Sequence, residues 1–286
     1  MSIDLHTHTT ASDGTLSPTE LVKLAKESGL AAVAITDHDT FQGVSEALEA
    51  GRKYGIEVIP GSELSLESPE GAGWIHVVAL WLPQEAPELQ KAYDWVQEGR
   101  ANRNHEIVDK LRSLGVNITY ENVAARAKGT IGRPHFAQEM IALGVVSSMD
   151  EAFKVWLGDN GRAYVPKRKL TPEQAFPLLN AIGATSILAH PFAMNLSHGD
   201  TEEVIKDLMK LGLDGMEVYY PEHSDADTKA YAEMADRLGL LKSGGSDFHG
   251  ANKPKIRLGV GKGSLHVPTE LLDIMKKDRQ SKGLPV

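Results

Sequence analysis

The stretch DLHTHTTASDG, Asp4 to Gly14, sets His6, His8 and Asp13 within a few residues of one another. Imidazole and carboxylate are ligands for borderline and hard divalent cations. Alone, an HxH pair is a weak signal, and a polar loop with two exposed histidines explains it as well. Further donors follow along the chain: His38 in TDHD, Glu63 in PGSELS, His76 in WIHVV, His190 in LAHPF, and Asp247 with His249 in GSDFH. Residues i and i+2 of a strand share a face roughly 7 Å apart. His6 and His8 therefore point into one space, as do Asp247 and His249. Nine such groups exceed the needs of a single ion. Carboxylates that bridge cations hold them a few Å apart, an arrangement suited to displacement at phosphorus.

The elements that must position these groups alternate between strand and helix patterns. Ser2–Leu5, Ala31–Ile35, Ile56–Pro60, Trp74–Leu82, Thr185–Ala189, Gly215–Tyr220 and Leu240–Ser243 read as strands. Between them, Ser17-Pro18-Thr19-Glu20 has a capping serine, a proline at the first helical position and a glutamate three after the cap. That helix runs to Ser28 and stops at Gly29, and the helix over Ser45–Tyr54 stops at Gly55. Further helices fit Thr171 to Gly183, Thr201–Leu211, Ala226–Leu238 and Pro268–Gln280. About seven strands separated by helices predict an α/β fold with a parallel sheet closed into a barrel. Residues 87–164 break this rhythm with helical periodicity and no strand, and are expected to form a helical insertion or cap domain. Residues 1–86 and 165–286 make up the barrel domain. The donors fall at or near strand ends. In barrels of this kind the chemistry gathers at the C-terminal ends of the strands.

Composition sets outer limits. The chain has 286 residues, 41% hydrophobic and 24% charged, an ordinary globular balance. It has no cysteine, which excludes disulfides, thiolate metal sites and a cysteine nucleophile, and fits a cytoplasmic protein. No apolar run is long enough to span a bilayer, and the first residues lack a basic region followed by an apolar stretch, so neither a membrane segment nor a secretory signal is expected. A net charge of −9 argues against a broad surface for long nucleic acid. Small anions remain open to a local cationic site.

Taken together, HTH near the start, TDHD, GSE, the histidine of WIHVV, AHP and SDFH resemble the PHP (polymerase and histidinol phosphatase) family. The likeness runs over the whole chain and is greatest to the bacterial branch that hydrolyses nucleoside 3′,5′-bisphosphates, some of whose members trim short RNA from the 5′ end. The resemblance implies a distorted (β/α)7 barrel with a helical insertion. It also implies three divalent cations, manganese before iron or zinc. His6, His8, Glu63 and Asp247 would surround one. Glu63 would bridge to a second, held with His76 and His190. Asp13, His38 and His249 would hold the third.

Gly132-Arg133-Pro134-His135 precedes a predicted helix over Phe136–Leu143. A helix start offers free N–H groups to an anion, and arginine adds a planar, bidentate phosphate partner. A plain helix cap with exposed basic residues is the alternative. In the resembling branch this arginine and histidine contact substrate phosphate, so Arg133 and His135 become candidate catalytic residues. His223, after the sixth strand, is a third candidate, with an exposed loop histidine as its alternative. Asp37 and Asp39 are expected to support the ligands, and Arg103 and Lys167–Lys169 to face solvent. The expected reaction is hydrolysis of a phosphate monoester, first of all the 3′-phosphate of a nucleoside 3′,5′-bisphosphate, with trimming of short RNA as a companion activity. Histidinol phosphate, a non-catalytic metal-binding module and a C–N hydrolase are the rivals. Oligomeric state is left open.

Overall fold

A computed structural model of the protein describes residues 2–127 and 131–286, excepting the side chains of Arg100 and Ala101. The chain separates into two compact units, Met1–Lys91 with Leu170–Val286, and Ala92–Lys169.

The first unit holds an α/β sheet. Among the described residues it has six strands in sequential order: β1 (Ala32–Ile35), β2 (Glu57–Leu66), β3 (Ile75–Leu80), β4 (Thr185–Leu188), β5 (Gly215–Tyr219) and β6 (Leu241–Gly244). The stretch Ser2–Leu5, expected as a strand, makes only isolated bridges. Its hydrogen bonds divide between two partners. Asp4 N–H donates to Ala32 O at 3.1 Å beside β1, and Leu5 N–H donates to Gly244 O at 3.1 Å on β6. Serving both edge strands of a curled sheet leaves no continuous ladder with either.

The sheet is not all parallel, contrary to expectation. β3 runs antiparallel to β2 and to β4. The cause is local: β2 continues to Leu66, and only a short loop separates it from Ile75, too little chain for a helical crossover. This reversal brings the start of β3 to the end of the sheet where its neighbours finish.

Helices α1 (Pro18–Glu27) and α2 (Val44–Tyr54) pack beside β1. In α1 the capping box between Ser17 and Glu20 is formed. α2 ends on Gly55, whose φ of 67° is the left-handed conformation a Cβ disfavours. Ala32 and Ala34 enter one apolar cluster with Ile3, Leu5, Ile59, Val78 and Ile187, and Val33 and Ile35 enter another with Leu21, Val22 and Ala47. Both faces of β1 are therefore buried, with alternate residues serving each. Fully burying a side chain such as Ile35 or Leu21 contributes roughly 1.5–3 kcal/mol. This doubly packed wall holds the ends of β1 and β2 in register.

Helix α3 (Pro87–Ser113) opens the helical stretch, followed by the short α4 (Tyr120–Ala124), α5 (Arg133–Ala142) and the three-residue α6 (Met149–Glu151). The second unit has its own core, including Ile107, Leu111, Phe136, Met140 and Leu157. Arg103 departs from its expected place in solvent, whereas Arg168 is exposed as expected. Arg103 is buried and donates Nε–H to Val165 O at 2.7 Å, and Arg168 lies over the Trp95 ring at 4.8 Å. The first unit continues through α7 (Pro172–Ala181), α8 (His198–Leu211), α9 (Asp225–Leu238) and α10 (Thr269–Ser281). No described helix is long and apolar enough to cross a membrane.

Candidate metal centre

Glu63 is the hub of the site. It lies within β2, not after a strand, because β2 runs on to Leu66. The register pairs Glu63 with Val78 and Ser65 with His76, so Glu63 and His76 are diagonal neighbours on one face. Glu63 Oε1 is 2.9 Å from His76 Nδ1 and 3.0 Å from His190 Nε2. Its Oε2 is 2.9 Å from His38 Nδ1, 3.2 Å from His6 Nε2 and 3.3 Å from His8 Nε2. Five imidazoles from four segments thus meet one buried carboxylate.

Asp247 and Asp13 extend the cluster. Asp247 Oδ1 is 3.2 Å from His8 Nε2, 3.4 Å from His249 Nδ1 and 3.7 Å from His6 Nε2. Asp13 lies 3.3 Å from His249 Nε2, 3.7 Å from His8 Nδ1 and 3.9 Å from His38 Nε2. Three overlapping groups have donor atoms close enough to share an ion: His8, Asp13, His38 and His249; His6, His8 and Asp247; His38, Glu63 and His76.

The backbone is shaped for this convergence. His190 has φ 28° and Asp247 has φ 54°, left-handed conformations that cost a non-glycine residue on the order of 1–3 kcal/mol each. His190 N–H is held by Glu217 Oε2 at 2.6 Å, and Asp247 N–H by His6 O at 2.8 Å. Asp37 fixes the loop that carries Asp13, accepting from Thr9 N–H at 2.8 Å, Thr9 Oγ1 at 2.7 Å and Ser12 Oγ at 2.6 Å. Asp39 accepts the Ser65 N–H at 3.0 Å, tying the TDHD turn to β2.

The electrostatics fit cations. Burial works against ionising Glu63, yet His38, His6 and His76 around it hold its carboxyl well below the usual range. Burial also lowers His8, but hydrogen bonds and charge from Asp247 and Glu63 outweigh it and raise the imidazole to about 9. His76 goes the other way, down to about 4, chiefly through burial. Six buried atoms here lack an aligned hydrogen bond: His6 Nε2, both nitrogens of His8, His38 Nδ1, Glu63 Oε2 and His190 Nδ1. Leaving one such group unsatisfied costs about 1–3 kcal/mol. Six in one place make sense when divalent ions stand where protons would otherwise have to sit. The His/Asp/Glu clusters are thus able to hold metal ions.

Three partners of the ligand set escape a motif-based reading. Glu217 on β5 lies 3.0 Å from His6 Nδ1 through Oε1. Tyr220 donates its hydroxyl to Asp247 Oδ2 at 2.7 Å, and Lys253 Nζ donates to the same oxygen at 2.6 Å. The one sequence signal for Glu217 is an acid in the middle of the apolar strand GMEVY. Nothing marks Tyr220. Lys253 lies in a stretch whose lysines read equally well as solvated.

The remaining candidates are placed as follows. Arg133 and His135 occupy the first turn of α5, which begins three residues earlier than predicted. Arg133 Nη1 donates to Asp159 Oδ1 at 2.9 Å and Leu157 O at 3.1 Å. His135 Nδ1 accepts the Gly132 N–H at 3.0 Å. Both belong to the second unit. His223 is half-buried, with Nδ1 donating to Val218 O at 2.9 Å and its ring against Tyr220 and Tyr231.

The PHP domain family matches residues 4–142. A 5′-3′ exoribonuclease of Haemophilus influenzae is 37% identical over 246 residues, 86% of this chain and 89% of that protein. The chain belongs to the PHP family. A 3′,5′-nucleoside bisphosphate phosphatase of Chromobacterium violaceum is 32% identical over 250 residues, 87% of each chain. Among solved structures, a protein of Bifidobacterium adolescentis assigned as a metal-dependent phosphoesterase superposes with a TM-score of 0.79 at 30% identity, covering 96% of this chain and 95% of its own. These relatives extend the match well past residue 142, since they cover 86% and 87% of this chain. The protein is a PHP metal-dependent phosphoesterase, a hydrolase of phosphoric ester bonds.

Proposed function

We propose that this PHP enzyme removes the 3′-phosphate of nucleoside 3′,5′-bisphosphates, converting adenosine 3′,5′-bisphosphate to AMP and phosphate. The observation that carries the reading is the junction of five imidazoles on the two oxygens of Glu63, in a chain similar to a bisphosphate phosphatase. Trimming of short RNA from the 5′ end is a second activity of the same site, favoured by the likeness to the Haemophilus exoribonuclease. Histidinol phosphate is the rival small substrate.

The donor set fits three divalent cations, manganese first, with iron or zinc as substitutes. His6, His8, Glu63 and Asp247 would hold one, Glu63 with His76 and His190 a second, and Asp13, His38 and His249 the third. Such cations offset charge on phosphate oxygens and make water more acidic. The segment over residues 2–8 then counts as the seventh stave of a distorted (β/α)7 barrel, and the helical unit as an insertion into it.

The chain's own groups supply the rest. Glu63, its carboxyl held well below the usual range by the histidines around it, stays ionised and would be shared between two of the ions. Asp247 faces the histidines with Oδ1, its other oxygen being taken by Tyr220 and Lys253. Arg133 orients the substrate phosphate through its planar guanidinium. His135 accepts the Gly132 N–H at Nδ1, so the neutral ring carries its proton on Nε2 and can donate a hydrogen bond to a substrate oxygen; as general acid to a leaving alkoxide it acts from the imidazolium form, with both nitrogens protonated. His223 has the opposite tautomer, with Nδ1–H on the Val218 carbonyl, and burial lowers its basicity. That leaves His223 a substrate-positioning acceptor and His135 the proton donor.

The test is direct. Manganese-loaded protein is incubated with adenosine 3′,5′-bisphosphate, and AMP and phosphate are measured. Stoichiometric release of both supports the assignment, and no turnover removes it. Comparing histidinol phosphate separates the rival, and a labelled oligonucleotide shows whether mononucleotides appear.

A further inference from the structure

Two large side chains stand exposed beside the histidines that share Glu63 Oε1. Trp74 is two residues before His76 and 54% exposed, and Phe192 is two residues after His190 and 36% exposed. Tryptophan is usually buried over most of its surface. Here the indole lies nearly parallel to the His76 ring, centroids 6.3 Å apart and planes 11° apart, with much of it left in solvent. The two aromatic segments are fastened together. Trp74 N–H donates to Ala193 O at 3.0 Å, and Gly73 N–H donates to Met194 O at 2.7 Å. The backbones approach so closely there that a Cβ at Gly73 would collide with the Ala193 carbonyl. Phe192 packs on Tyr220 at 5.5 Å and on His223 at 5.7 Å, which gives the rim a second aromatic wall.

A substrate whose phosphate sits at Glu63, His76 and His190 meets these rings with whatever the phosphate is attached to. Flat, exposed π-faces next to a phosphate centre match a nucleobase, which stacks on aromatic side chains irrespective of its hydrogen-bonding edge. We propose that Trp74 and Phe192 form the seat of the substrate's nucleobase and so determine specificity for nucleotides over other phosphate esters. The proposal rests on the nucleotide reading above. It adds the residues that enforce that reading.

The experiment uses the full chain loaded with manganese and two substrates, adenosine 3′,5′-bisphosphate and its base-free analogue 1,4-anhydroribitol 3,5-bisphosphate. Losing one stacking partner weakens binding by about tenfold. Trp74→Ala is therefore expected to raise KM for the nucleotide by about that factor, with kcat unchanged and the base-free compound unaffected. Trp74→Phe restores the KM, and Phe192→Ala shifts it in the same direction. An independent readout is tryptophan emission on titration with AMP. The wild type quenches, and Trp74→Phe binds without that quench. Equal KM for the nucleotide in wild type and Trp74→Ala, or wild-type kcat/KM no better for the nucleotide than for the base-free compound, overturns the platform alone. A wild type that hydrolyses neither compound overturns the nucleotide assignment and the platform with it.

Discussion

Glu217 Oε1 lies 3.0 Å from His6 Nδ1, and the same carboxylate takes the His190 backbone N–H on Oε2 at 2.6 Å. One buried acid on β5 thus aligns two histidines that reach Glu63 from different segments. With Nδ1 of His6 donating to Glu217, Nε2 is left as the lone-pair donor facing Glu63 and Asp247. Glu217→Gln should keep the fold and weaken divalent-ion affinity by about 10- to 100-fold. Calorimetric titration with manganese measures this. Wild-type affinity in the variant would assign Glu217 to packing alone.

Metal uptake should release protons. His8 is raised to about 9 by Asp247 and Glu63 despite its burial, so it is protonated at neutral pH in the metal-free protein. A cation on Nε2 must displace that proton, and affinity therefore rises with pH until His8 has titrated near 9. Manganese affinity measured between pH 6 and pH 9, together with proton release in weak buffer, checks the sign. Affinity independent of pH would show that His8 is not a ligand.

Removing bound cations should loosen the first unit. A ligand that binds only the native state at 100 times its Kd stabilises by about 2.7 kcal/mol. Chelation is expected to lower the melting temperature by several degrees, and manganese to restore it. Calorimetric scans with and without chelator read the difference, and coincident transitions would contradict it.

Much of this site is legible in the sequence, because its candidate ligands sit in short motifs in or near the strands, which bring them together. His6 and His8, and Asp247 and His249, stand out as pairs two residues apart, although neither pair lies in a regular strand. What escaped notice was set by tertiary context. The antiparallel course of β3 followed from the length of β2, and β2 extends through PGSELS, which carries no turn signal at its true end. Glu217 is a single acid on an apolar strand and Tyr220 follows just past its end, and their roles depend on which side chain faces them. The start of α5 shifted because His135, at the third helical position, reaches back with its ring to the Gly132 N–H, a role usually filled by Glu or Gln.

Arg133 and His135 should act on turnover and not on metal. Arg133→Lys keeps the charge but loses the bidentate fork, and a drop of roughly tenfold or more in kcat/KM for the bisphosphate is expected. His135→Gln is expected to lower kcat by about 100-fold or more, the usual scale for a general acid. Both variants should carry wild-type metal content by elemental analysis. A loss of metal in either would place that residue in the ion-binding set.

The central claim is that Glu63 gathers the histidine donors around divalent cations. Elemental analysis of manganese-loaded wild type and Glu63→Gln, at matched folding by circular dichroism, tests it most directly. The wild type should hold more than one ion per chain, and the variant should lose most of that metal along with phosphatase activity. Equal metal content in the two proteins, or none in the wild type, would contradict the account.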